Sequence, residues 1–194
     1  MEKVIHPTQT EIEFLTLGYN RFYDLFDEIM QEFFWKEEAT FRIYKLKEIF
    51  TVYFELLKYP PIQWGIENEN RPNYSEVGKE LMKFIRNVLF HFPFFEKWND
   101  IWIKKSIVNL YTAKPQSIDR FCAKYEGRAE LKYRFWEEKY KRMTYITIKF
   151  PDNYSEDNKV FLKDIVSEKD GVRFSLIFME SILKTQIEDL GEEK

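Results

Sequence analysis

Residues 75–95 read SEVGKELMKFIRNVLFHFPFF, and their periodicity decides the fold class. Leu81, Ile85, Val88, Leu89 and Phe92 recur at three- and four-residue steps, the signature of one buried face of an α-helix. The spacing predicts a helix that starts at Asn73 or Ser75 and runs to about His91. Pro93 disfavours helical geometry at Phe92, so the helix breaks or kinks just after His91. On a wheel of about 100° per residue with Arg86 at zero, Asn87 falls at about 100° and His91 at about 140°. Phe90 and Lys83 lie between them, at about 40° and 60°. The five apolar residues occupy about 200° to 300°, so the stripe and the polar face oppose each other. An outward Phe90 beside Arg86 and His91 suggests an interface or a cleft rather than open solvent.

The same periodicity extends outward in both directions. Thr10 and Glu13 form a capping box ahead of Phe14, Leu17, Phe22, Leu25, Phe26, Ile29 and Phe33, which predicts a helix to about Trp35. A second helix covers about Glu38 to Lys58 and is stopped by Tyr59-Pro60-Pro61. Residues 60–74, with three Pro, one Gly and three Asn, form a loop. A fourth segment runs from Phe94 to Tyr111. Beyond it, Ser117 to Arg142 reads as helical with an interruption near Gly127, and Asp170 to Leu190 as helical again. Tyr145 to Phe150 alternates, with Ile146, Ile148 and Phe150 on one side, as in a short strand. Val160 to Val166 is its one weak candidate partner. The expectation is an all-α antiparallel bundle: a core of residues 1–112 and a helical extension of 113–194, packed on the core or continuous with it. Room remains for one short β element within 143–166.

Composition narrows the class. The chain has 194 residues, 44% of them apolar, with 19 Phe, 12 Tyr and 5 Trp. That is enough for one sizeable core, given about 150 residues per domain. Six Gly and seven Pro are too few for collagen-like repeats, disorder or a turn-rich all-β domain. A net charge of −3 excludes a global polycation but not a local basic cleft. Cys122 stands alone, which excludes an internal disulfide and a cysteine-built zinc site, and a reducing, cytoplasmic setting is the expectation. Met1 to Phe14 has no apolar core of a signal peptide. Apolar runs such as Leu176 to Met179 fall far short of a membrane span.

Arg86, Asn87 and His91 are the one constellation with chemistry in it. Histidine exchanges protons near neutral pH. Arginine stays charged and offers a planar fork that matches two phosphate oxygens. Asn87, one turn before His91, is placed to orient the imidazole or a phosphate oxygen.

Arg86-Asn87-x3-His91 in a helical setting resembles the HEPN superfamily, marked by Arg, four to six residues, then His, often with a polar residue directly after the Arg. The stretch from Phe92 to Trp102 is also similar to the segment just after the motif in small prokaryotic HEPN proteins. The resemblance covers Ser75 to Trp102. It implies a metal-independent endoribonuclease with no cofactor, a homodimer whose two motifs meet in a shared cleft, and RNA as substrate. A toxin, phage-defence or RNA-processing role, with a cognate antitoxin protein as a possible partner, is implied with it. Some members of the superfamily are non-catalytic interaction or RNA-binding modules, so that alternative stays open.

Other features read more plainly. His6 has no chemical partner in the sequence. Arg120, Lys124, Arg128 and Lys132 recur every four residues, but Glu126 and Glu130 interleave with them, which favours an ion-paired face over a phosphate track. Most aromatics sit at core spacing. Trp98 and Trp102 are the exceptions, placed to pack against the Pro93 break or to line a dimer seam. Cys122 reads as a small buried residue, and Lys104-Lys105 as a solvated pair.

Overall fold

The computed structural model describes residues 8–59, 62, 75–110 and 117–191. Thr8 opens the first helix, α1 (Gln9–Met30): its hydroxyl accepts the Glu11 N–H at 3.3 Å, and the Glu11 carboxylate takes the Thr8 N–H at 2.7 Å. T-x-x-E occurs twice in this stretch and the first copy starts the helix, so the expected box at Thr10 and Glu13 lies inside it instead. The helix also ends earlier than expected. Gln31 is extended, Phe34–Lys36 form a separate 3-10 turn, and Arg142 Nη2 caps the helix by donating to the Met30 carbonyl at 2.9 Å.

Helix α2 (Ala39–Leu56) returns antiparallel to α1. Lys45 meets Glu28 at 2.9 Å, and the rings of Phe22 and Tyr53 lie 5.9 Å apart. Gly18 lets the two helices approach, since a Cβ there would meet Leu56 at 2.6 Å. Helix α3 (Ser75–His91) runs antiparallel to α2, with Arg86 over Phe54 at one level and Lys47 Nζ on the Pro93 carbonyl, 2.9 Å away, at the other. Its end at His91 is where Pro93 places it. The segment after it is irregular: a 3-10 turn at Trp98–Asp100, the two-residue β1 (Trp102–Ile103) and the single turn α4 (Lys105–Val108).

Helix α5 (Ser117–Tyr125) packs antiparallel on α3, with Phe121 stacked on Phe84 at 4.3 Å. The helix expected over Ser117 to Arg142 stops there. Gly127 adopts φ +66° and donates its N–H to the Pro151 carbonyl at 3.0 Å, a left-handed exit that favours glycine. Residues 131–148 then form an antiparallel hairpin of β2 (Leu131–Glu137) and β3 (Arg142–Ile148). The reason is the alternating Leu131-Lys132-Tyr133-Arg134-Phe135-Trp136, in which aromatic residues fit a pleated, half-buried surface. Arg120 and Lys124 therefore share a helix, while Arg128 and Lys132 lie beyond it, so no single basic ridge forms. The strand expected at Tyr145 to Phe150 is β3, starting earlier and paired with β2 rather than with Val160 to Val166. That segment forms β4 (Val160–Phe161), paired with β1, and the single turn α6 (Leu162–Ile165).

Helix α7 (Glu168–Gly191) closes the structure. Phe174 packs at 5.7 Å from Tyr133 and 4.9 Å from Phe135, and it also reaches the space left by Gly78 on α3. One buried cluster runs from Leu15 through Ile85 and Ile148 to Leu183, across the 112/113 division without a break. The chain is mostly helical with a small antiparallel β component, more β than the all-α expectation held. A buried polar cluster anchors the hairpin. The Glu137 carboxylate receives Arg173 Nη2, the Thr144 hydroxyl, and Arg142 through Nε and Nη2 at 3.1 Å each.

Candidate functional site

Helix α3 divides as its wheel requires. Leu81, Ile85, Val88, Leu89 and Phe92 are buried, Arg86 and Asn87 are half-buried, and Phe90 and His91 are exposed. The Arg86 guanidinium lies between two rings, 5.1 Å from the Phe54 centroid and 4.8 Å from that of Phe90. Its Nη1 donates to Asn87 Oδ1 at 2.8 Å, and its enclosed Nε has no hydrogen-bond partner among the described residues. Asn87 Nδ2 donates in turn to the Ser117 hydroxyl, 2.5 Å away at the start of α5. The ring sandwich and this two-step tether hold the guanidinium in place before any ligand arrives. Asn87 is thus joined to Arg86 and Ser117, and no hydrogen bond among the described residues joins it to His91. It tethers the arginine; of the two groups it is expected to orient, the imidazole and a phosphate oxygen, the imidazole is not bonded to it here. His91 closes the helix with its ring open to solvent.

The surroundings are aromatic and cationic. Phe94 is 69% exposed and lies three residues after His91. Tyr44 on α2 is also exposed, with Lys47 Nζ 5.4 Å over its ring, and the same ammonium bonds the Pro93 and Phe95 carbonyls. On the other flank, a cleft of about 430 Å³ separates α3 from α5, lined by Glu80, Lys83, Phe84, Ser117, Arg120 and Lys124. Lys124 is held by Glu76 and Glu80 at 2.7 and 2.8 Å, and these carboxylates push its ammonium pKa upward. Lys83 and Arg120 have no ion pair among the described residues, so they are the cations this cleft offers to an anion.

Compared with known protein families, characterised proteins and solved structures, the chain matches none.

The remaining candidates settle into structural places. Trp98 is buried and donates its indole N–H to the Val166 carbonyl at 3.1 Å, tying the turn after α3 to the segment just before α7. Trp102 is half-buried, edge-on to Phe95 with Lys159 Nζ 4.3 Å from its ring centre. Cys122 is buried, and burial pushes its thiol pKa up to about 12. Among the described residues no group of three His, Cys, Asp or Glu is arranged to hold a metal ion. No described helix is long and apolar enough to cross a membrane. His6 and most of the 60–74 loop lie outside the described residues. Sequence reasoning missed Phe54 and Ser117. Both come from other elements, and only the antiparallel packing of α2 and α5 on α3 brings them to Arg86 and Asn87.

Proposed function

We propose that the chain is a metal-independent endoribonuclease of HEPN type, acting on RNA as a homodimer through Arg86, Asn87 and His91. What supports this reading is the Arg86 arrangement: a guanidinium fixed between Phe54 and Phe90 and tethered by Asn87, with His91 exposed at the end of the same helix. In the reaction the 2′-oxygen attacks phosphorus, forming one P–O bond as the bond to the 5′-oxygen breaks. The 2′-hydroxyl proton leaves to a base, and the 5′-oxygen takes a proton from an acid. His91 serves as one of these, and a second copy's imidazole serves as the other when two motifs face each other. Arg86 offsets the charge that builds on the phosphorane oxygens, and holding it beforehand removes the cost of organising it during the step. The exposed Phe90 and Phe94 supply the apolar part of the face that a second copy covers. A toxin, phage-defence or RNA-processing setting, with an antitoxin protein as partner, belongs to the same proposal.

The test is cleavage of a single-stranded RNA in excess EDTA. Products carry 2′,3′-cyclic phosphate and 5′-hydroxyl ends, and a strand 2′-O-methylated at the cleavage position resists. His91→Ala lowers the rate by about 10²–10⁴ and Arg86→Ala by about 10²–10³. RNA binding without cleavage in any condition places the chain among non-catalytic modules instead.

A further inference from the structure

We infer that the outer face of the β2–β3 hairpin is a docking platform for single-stranded RNA. The inference rests on the ribonuclease reading for the nature of the ligand but uses none of that site's residues. The inner face of the hairpin is spent on the core, with Tyr133 and Phe135 against Phe174, and Ile146 and Ile148 buried. The outer face presents Lys132, Arg134 and Trp136 from β2 and Met143, Tyr145 and Thr147 from β3, and Lys149 lies just past the strand end. Register sets Arg134 opposite Tyr145, Lys132 opposite Thr147 and Trp136 opposite Met143.

Two properties of this face coincide. Its rings are unusually open, with Tyr145 at 65% and Trp136 at 53% exposure. Its charge has one sign: Lys132, Arg134 and Lys149, with no carboxylate among the seven outward positions. Two nearby acids reach this face and engage its own residues. Glu130 pairs with Lys132 at 2.7 Å, and Glu138 takes the Trp136 indole N–H at 2.6 Å as well as Lys141. Among the described residues the unpaired cations of this face are therefore Arg134 and Lys149. Cations interleaved with exposed rings complement a polyanion that also carries flat apolar faces, which is the chemistry of a single-stranded nucleic acid. Beside Tyr145 the edge of β3 opens into a cleft of about 460 Å³ against α6 and the start of α7, lined by Thr147, Lys149, Lys163, Asp164, Ser167 and Asp170. There two lysines balance two aspartates, and Asp170 already accepts the Ser167 hydroxyl at 3.1 Å. The balanced cleft suits an unstacked base, and the cationic sheet face suits its phosphates.

The test uses the full chain carrying His91→Ala, so that the probe stays intact. An unstructured fluorescein-labelled RNA of about 12 nucleotides is titrated by anisotropy across a potassium chloride series. Tyr145→Ala weakens binding by about 5- to 150-fold, the loss of one stacked base, and Tyr145→Phe restores it. Arg134→Ala with Lys149→Ala flattens the slope of log affinity against log salt by about 0.7 for each phosphate contact removed. Cleavage by the same variants with His91 intact is measured in parallel. Binding indifferent to Tyr145→Ala and to the double variant overturns the platform whatever cleavage shows, and so does an absence of RNA binding. Tyr145-dependent binding by a chain that cleaves nothing upholds the platform and overturns the ribonuclease reading instead.

Discussion

Replacing Glu137 by alanine tests the anchoring of the hairpin. Glu137 is 5% exposed, and its carboxylate is the common acceptor for Arg173, Arg142 and Thr144. Arg173 is nearly as buried, and its Nε already has no hydrogen-bond partner among the described residues. Glu137→Ala therefore strands a guanidinium in the interior, a change that costs about 3–5 kcal/mol. Arg142 adds little to this, because it is partly exposed and keeps Glu32 at 2.9 Å and the Met30 carbonyl at 2.9 Å. With about 2–4 °C lost per kcal/mol in a chain of this size, the midpoint of thermal unfolding falls by about 6–20 °C. Urea titration followed by near-ultraviolet circular dichroism gives the free energy directly. The double variant Glu137→Ala with Arg173→Met, which leaves no buried charge, recovers much of the loss. A single-variant cost below about 1 kcal/mol, or a double variant as unstable as the sum of the two singles, refutes the reasoning.

Other perturbations probe the same packing. Cys122 resists a thiol reagent at pH 8 in the folded chain and reacts on addition of guanidinium; fast labelling of native protein contradicts its burial and raised pKa. Burial pushes the pKa of Tyr19 and of Tyr23 up to about 12, above the ordinary value near 10. The folded chain thus holds protons that the unfolded chain releases, so their stabilisation is complete below about pH 10 and is lost as pH rises towards 12. Phenolate absorbance rising in step with unfolding over that window is the check. Val88→Asp buries an unpartnered carboxylate and costs several kcal/mol, whereas His91→Ala costs about 0.5 kcal/mol or less. Arg86→Ala falls between them, at about 1–2 kcal/mol, because it also empties the space between Phe54 and Phe90. Equal midpoints for the Val88 and His91 variants contradict the division of α3 into two faces.

Local periodicity was legible wherever one helix face meets one core. Helix α3 carries its apolar stripe, its break before Pro93 and the outward set of Arg86, Asn87 and His91 in plain view. Helix α2 is similar, framed by its spacing and by Pro60-Pro61. The failures share a different cause. Arg120, Lys124, Arg128 and Lys132 recur at a helical step by coincidence of solvated positions, and they masked the strand alternation running through Leu131 to Trp136. Where two periods compete, the buried side chains decide, and Tyr133 and Phe135 settle against Phe174 of α7, some forty residues away. The tether from Asn87 to Ser117 spans thirty positions and was invisible for the same reason. No single segment contains both partners, and a residue type alone does not say which of its neighbours will arrive.

The cap on α1 carries a consequence for how the chain is made. Met30 leaves a carbonyl at the helix end that is satisfied by Arg142, more than a hundred residues downstream. Glu32, just beyond, takes Arg142 and also Lys169 at 2.7 Å. On a ribosome adding about 5–20 residues per second, α1 and α2 therefore wait several seconds for the groups that finish them. Phe174, the residue that fills the space beside Gly78, is later still. The nascent helices pass that interval with their apolar faces uncovered, in the state most open to chaperones and to wrong partners. Closure of this core is set by the arrival of α7 and not by the early helices that look so complete on their own.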